Sequence, residues 1–282
     1  MPPTSDAERF GLEEVMAFRE MIGASKELRK EEARLAVHSV RDLQVESGDV
    51  SIPIRIYSPA GEGPFPVVHY FHGAGWVAGN LDTHDNICRY FSAKLNSVVV
   101  AVDYRLAPGY KWPAGFDDCF QSFAWVMDHA DDFNIDPSRC AVAGESAGGH
   151  LAAAVALKAR NEGFPKIAFQ LLAYAIVDGT SPSGRNFKQH LFDESGDAAT
   201  DYASPALASY LTGLPPALII YGEEEEARAE NERYIQRLKD HGIPVESLMV
   251  EGQGHAVFPW VSASGNQHVL DKAVEALNRV FD

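Results

Sequence analysis

Residues 139–153, from Arg139 to Ala153, read R-C-A-V-A-G-E-S-A-G-G-H-L-A-A. Ala141, Val142 and Ala143 form a short apolar run that suits a buried strand of a parallel sheet. Gly144-Glu145-Ser146-Ala147-Gly148 then turns the chain, and Gly149 to Arg160 reads as an alanine-rich helix. A serine on a tight strand-to-helix turn, with glycine two residues to either side, has the pattern of a nucleophile elbow. Gly144 and Gly148 must lack side chains where strand and helix nearly touch. The turn pushes the Ser146 hydroxyl outward, and the helix N-terminus behind it favours developing negative charge. Taken alone, the same letters also fit an ordinary glycine-rich turn, so the rest of the chain has to decide.

Outward from this stretch the chain alternates strands and helices. Strands are expected at Val67–Phe71, Val98–Val102, Ile167–Ala173, Ala217–Tyr221 and Val245–Val250. Helices are expected at Thr83–Leu95, Pro113–His129, Glu226–His241 and Gln267–Phe281. Val37–Val45 and Val50–Tyr57 alternate around a Ser-Gly-Asp turn and predict a β-hairpin. Residues 5–22 and 25–36 read as two helices outside the sheet, the second capped by Ser25, lying over it as a lid. The segment from Asp178 to Tyr202 is polar and poor in helix signal. This order predicts a mostly parallel sheet entered through an antiparallel hairpin, with helices on both faces.

Composition narrows the function. The chain has 282 residues, 46% of them hydrophobic, and a formal charge of −16 from 40 acidic against 24 basic side chains. That surface repels phosphate backbones and anionic lipids, so neither nucleic acid nor a membrane surface is an expected partner. No apolar run approaches the ~18 residues of a membrane span, and the N-terminus lacks a signal-peptide pattern. Cys88, Cys119 and Cys140 have no metal-binding spacing and read as reduced, buried thiols of a cytoplasmic protein. Nothing calls for a metal or a cofactor.

In open α/β sheets chemistry gathers at the carboxyl ends of the strands. After Val67–Phe71 comes His72-Gly73-Ala74-Gly75-Trp76, a small-residue loop able to offer amides to an oxyanion. Gly73 and Ala74, with Ala147 beside the serine, are the expected donors. A serine needs a base. Of the three histidines downstream, His241 ends a helix and His268 lies inside one. His255 follows a strand on a glycine-flanked loop and is the expected base. The acid should follow Ala217–Tyr221, where Glu223, Glu224, Glu225 and Glu226 stand in a row; Asp178, after the preceding strand, is the weaker candidate. Serine, acid, histidine is the α/β-hydrolase chain order. Trp76, Phe187, Tyr202, Phe258 and Trp260 are the aromatic candidates for a pocket wall, Trp76 and Phe258 foremost.

From about Val37 onward the chain resembles the hormone-sensitive-lipase-like carboxylesterases of the α/β-hydrolase superfamily. H-G-A-G-W resembles that family's H-G-G-G-W oxyanion loop, D-Y-R-L-A-P (Asp103 to Pro108) its signature of the same letters, and G-E-S-A-G-G its G-D-S-A-G-G elbow. Y-A-S-P at 202–205 also recurs in the family. The resemblance implies an α/β-hydrolase core of residues 37–177 and 203–282. It also implies a small helical cap made by residues 1–36 and a shortened insertion, 178–202. It places Glu225 where the family carries an aspartate, with Glu224 still open, and Ala74 where it carries glycine. The implied activity is hydrolysis of short- to medium-chain carboxylic esters through an acyl-serine, with a homodimer as the common assembly. A catalytically silent ligand-binding relative and an amide or formamide hydrolase are the competing readings.

Overall fold

The computed structural model describes residues 11–30, 35–193, 197–258 and 266–282, with residues 25–30 described through their backbone alone. The chain runs α1 (Leu12–Lys30), β1 (Ser39–Ser47), β2 (Val50–Ser58), β3 (Phe65–Phe71), α2 (Asp85–Leu95), β4 (Val98–Val102), α3 (Ala114–Asp128) and β5 (Ile135–Glu145). It continues with α4 (Ala147–Asn161), β6 (Phe169–Ala173), α5 (Arg185–Leu191), β7 (Ala217–Gly222), α6 (Arg228–Asp240), β8 (Val245–Val250) and α7 (Gln267–Phe281). The eight strands form one sheet in the order β1-β2-β4-β3-β5-β6-β7-β8. Only β2 runs against the rest: it pairs antiparallel with both β1 and β4, and the remaining ladders are parallel.

Parallel strands covered on both faces carry continuous apolar runs. β4 reads V-V-V-A-V with every residue buried, and β3, β6 and β7 are buried along their whole length. Burying one such valine or isoleucine contributes roughly 1.5–3 kcal/mol, so the sheet centre sets the register. Phe71 pairs with Gly144 and Glu145 with Ala173, so the loop beginning at His72 leaves the sheet beside Ser146. Gly222 pairs with Val250, so the loops after β7 and β8 also leave together. Gly222 has to be glycine, because a Cβ there would sit 2.3 Å from the Gln253 carbonyl oxygen. These two junctions bring four distant segments to one edge.

Two expectations need correction. In place of two N-terminal helices there is one among the described residues, α1, which continues through Gly23 and Ser25. A single interior glycine costs only about 1 kcal/mol, and Val15, Phe18 and Ile22 pack α1 on the core. Ser25 is therefore interior to a helix. The segment 178–202, poor in helix signal, carries one short helix, α5. The helix starts at Gly184 in a left-handed conformation (φ +64°), and the Lys188 ammonium donates to the Asp178 carbonyl at 2.5 Å and the Ser181 carbonyl at 3.2 Å. The sixth strand starts at Phe169, two residues later than expected. Residues 5–10, most of 31–36 and Trp260 fall outside the described residues. No helix among the described residues is long and apolar enough to cross a membrane.

Packing also dictates an acid sensitivity. Burial pushes the imidazole pKa of His69 down to about 3 and that of His150 to about 4; His72, buried beside His84, is likewise pushed down to about 3. Unfolded, each would titrate near 6.5, so unfolding takes up protons below that pH and stability falls as the pH drops. Each imidazole costs about 1.4 kcal/mol per pH unit well below 6.5. Asp103, whose carboxyl burial raises to about 6, offsets part of this with the opposite sign. The urea midpoint is expected to be flat from pH 8 to 7 and to fall steeply from 6.5 to 5. A midpoint unchanged at pH 5 would contradict neutral burial of these rings.

Candidate active site

Ser146 occupies the turn between β5 and α4 with φ +54° and ψ −119°, a left-handed conformation for a non-glycine residue. Contacts around it leave no alternative path. A Cβ on Gly144 would lie 2.3 Å from the Gly148 carbonyl oxygen, and one on Gly148 would lie 1.9 Å from the Phe71 carbonyl oxygen. The Ser146 amide donates to the Ala173 carbonyl of the neighbouring strand at 2.8 Å. The hydroxyl is thereby presented at the carboxyl edge, with the first turn of α4 behind it.

The Ser146 Oγ stands 2.8 Å from His255 Nε2, across 109 residues of sequence. On the other side of the ring, His255 Nδ1 lies 3.0 Å from Glu225 Oε1. The Glu225 side chain is 0% exposed and its other oxygen accepts from the Gly222 amide at 3.2 Å, whereas the imidazole is 47% exposed. With the carboxylate accepting, Nδ1 carries the proton and Nε2 is free to receive one. The Tyr174 ring meets the imidazole edge-on at 4.9 Å and limits its tilt. Such an arrangement can take a proton from a hydroxyl and stabilise the resulting imidazolium.

The neighbouring acids stand elsewhere. Glu224 is exposed, and its amide donates to the Gln253 carbonyl at 2.8 Å. Asp178 turns its Oδ1 back on its own loop, accepting from the Thr180 hydroxyl at 2.6 Å and the Thr180 amide at 2.9 Å. Neither carboxylate touches His255.

The loop after β3 lies alongside the serine, but Gly73 is not a free donor. Its amide donates to Glu145 Oε1 at 2.6 Å. Ala74 and Gly75 line the same cleft as Ser146, and among the described residues no acceptor is found for their amides or for that of Ala147. Ala74 adopts φ +77° despite its methyl group. The loop and the neighbouring turn therefore offer Ala74, Gly75 and Ala147, not Gly73.

The cleft has a volume of about 510 Å³. Its walls include Phe18 and Ile22 of α1, Phe187 of α5, and Ile176 and Tyr174 beyond β6. Phe18 and Phe187 meet with ring centres 5.1 Å apart. Arg19 fastens α1 in place, donating to the Val77 carbonyl at 2.6 Å and the Ala107 carbonyl at 2.8 Å. Three expected wall residues are displaced. Trp76 is buried and its indole donates to His150 Nδ1 at 3.2 Å, while the other His150 nitrogen bonds the Tyr202 carbonyl at 3.1 Å. Phe258 is buried edge-on against Tyr174, which faces the cleft in its stead. Tyr202 stacks on Phe116 at 5.3 Å, also away from the cleft. Tyr174, Ile176 and Phe18 were not marked by the sequence, although Tyr174 directly follows β6 at the catalytic edge.

Residues 68–259 match the family model described as alpha/beta hydrolase fold. An arylesterase of Saccharolobus solfataricus is 35% identical, over 78% of this chain and 77% of its own length. The carboxylic ester hydrolase LipN of Mycobacterium tuberculosis is 38% identical, over 86% of this chain and 71% of its own. Among solved structures, the hyperthermophilic esterase of Pyrobaculum calidifontis superposes with a TM-score of 0.89 at 32% identity, covering 94% of this chain and 93% of that one. The chain belongs to the α/β-hydrolase superfamily, within its hormone-sensitive-lipase-like group of carboxylesterases.

Proposed function

We propose that the chain is a serine carboxylesterase that cleaves short- to medium-chain esters through an acyl-enzyme. The observation that carries this is the unbroken relay from Ser146 Oγ through His255 to the buried Glu225, opening onto an apolar cleft. In the first step His255 Nε2 takes the hydroxyl proton as Ser146 Oγ bonds the carbonyl carbon. The oxyanion is received by the amides of Ala74, Gly75 and Ala147. The imidazolium then protonates the departing alkoxide, leaving an acyl-serine. Water, deprotonated by the same nitrogen, attacks that ester, and the carboxylic acid leaves as the proton returns to Ser146. Glu225 keeps the ring in its productive tautomer throughout.

In this reading α1 and the 178–202 segment form the cap, since Phe18 and Phe187 close one side of the cleft. Their rings and Ile176 suit an acyl chain of a few carbons. A p-nitrophenyl ester series tests this: kcat/KM is expected to peak between four and eight acyl carbons and to fall at least tenfold by sixteen. A maximum at sixteen carbons, or no turnover of any member, would overturn the assignment. A cytoplasmic location is supported by Cys88, Cys119 and Cys140, all buried free thiols. The proposed homodimer would pair through β8, one of the two edge strands of the sheet, and sedimentation tests it.

A further inference from the structure

The relay leaves one buried ionisable group at the elbow without a task. Glu145, the residue before the nucleophile, is 1% exposed. Its Oε1 accepts from the Gly73 amide at 2.6 Å and lies 2.9 Å from His84 Nε2, while its Oε2 accepts from the Tyr70 hydroxyl. Burial opposes its charge, but His84, Tyr70 and the Gly73 amide outweigh that and hold the carboxyl below the usual carboxylate range. Tyr70 belongs to β3 and His84 immediately precedes α2. The carboxylate is thus fixed by two rigid elements and can in turn fix a third.

That third element is strained. Ala74, Gly75 and Trp76 follow one another at φ +77°, +67° and +60°. Glycine adopts such a backbone freely, whereas an alanine crowds its methyl group against the following carbonyl. Beyond Ala74 the loop is tied down: the Ala74 carbonyl accepts from the amides of Val77 at 3.3 Å and Ala78 at 3.1 Å, and the Trp76 carbonyl from Ala107 at 3.0 Å. Before Ala74 the His72–Gly73 peptide is tied at both ends, its carbonyl accepting from the Tyr104 hydroxyl at 2.7 Å and its amide held by Glu145, while the Gly73 carbonyl lies 2.9 Å from His72 Nδ1.

We infer that Glu145 is a positioning residue for the oxyanion loop, and that its hold on the Gly73 amide keeps Ala74 in its left-handed conformation. The inference rests on the acyl-transfer reading above. Released from Glu145, the peptide before Gly73 turns, Ala74 relaxes toward negative φ, and the Ala74 and Gly75 amides leave the path of the oxyanion. With glycine at 74 there is no strain to relax, so the clamp matters less. Glu145 and Ala74 are therefore energetically coupled although the bond between them runs through Gly73.

A double-mutant cycle tests this on the full chain, using Glu145→Asp, Ala74→Gly and their combination. Glu145→Asp keeps the charge but withdraws it by one methylene. With Ala74 present it is expected to lower kcat for p-nitrophenyl butyrate on the order of 10–100-fold, with KM within about twofold. In the Ala74→Gly background the loss is expected to be at least about fivefold smaller. Glu145→Gln, which still reaches the Gly73 amide, is expected to retain more activity than Glu145→Asp. Thermal midpoints give a readout independent of turnover: Ala74→Gly should raise Tm more in the parent than in the Glu145→Asp background. Equal fractional losses in both backgrounds, a loss confined to KM, or equal Tm shifts would overturn the inference while leaving the esterase reading intact. If Ser146→Ala leaves turnover unchanged, the esterase reading fails by itself, and the Tm comparison still decides the coupling.

Discussion

Replacing Ser146 with alanine is expected to lower kcat for p-nitrophenyl butyrate by about 10⁶-fold, the scale on which a serine triad loses its nucleophile. The geometry gives the reaction no second route. Among the described residues, Oγ is the only side-chain oxygen within hydrogen-bond reach of His255 Nε2, at 2.8 Å. The imidazole and the amides of Ala74, Gly75 and Ala147 remain in the variant, so a residual rate above that of water should survive. Folding should be little affected, because alanine carries the same strain at φ +54° as serine does. Steady-state kinetics on protein from an esterase-deficient host, with circular dichroism to verify the fold, makes the comparison. Turnover within tenfold of the parent would remove Ser146 from the mechanism.

Glu225→Gln is expected to lower kcat on the order of 10²–10⁴-fold. The parent carboxylate accepts from Nδ1–H and favours the imidazolium that forms during attack. A glutamine either turns its carbonyl to the ring, keeping geometry without charge, or turns its amide and forces the wrong tautomer. Full burial of Glu225 means solvent does not compensate for the lost charge. Glu224→Gln is the matched control: that side chain is exposed, and activity should stay within about twofold. If the effects were exchanged between the two positions, the relay would run through the other carboxylate and the geometry around Gly222 would have to be rebuilt.

The parts that were legible in sequence are those where backbone sterics leave one solution. Gly144 and Gly148 announce the elbow because a methyl group at either would collide with backbone, and Gly252 and Gly254, just before His255, mark a loop at a strand end. Glu225 was harder. Four consecutive glutamates look alike as letters, and only the turn after Gly222, packed on the Gln253 carbonyl, decides which one is buried. Gly73 was misassigned because the fate of its amide depends on Glu145, 72 residues away and adjacent only through the β3–β5 ladder. Trp76 and Phe258 face away from the cleft for a related reason. An aromatic in a loop beyond a strand can face cleft or core with equal local propensity, and here His150 holds Trp76 and Tyr174 packs Phe258 inward. Ser25 has the letter of an N-cap and so reads as the start of a second helix, but packing of Phe18 and Ile22 on the core carries one helix through it.

Covalent labelling probes the central claim most directly. Incubation with an alkyl fluorophosphonate at neutral pH, followed by intact-mass and peptide mass spectrometry, reads out which hydroxyl the fold activates. The account predicts one adduct per chain, on Ser146, formed quickly in the parent and at least 10³-fold more slowly in His255→Ala. An unlabelled chain, an adduct on any other residue, or a labelling rate at Ser146 indifferent to loss of the imidazole would contradict it.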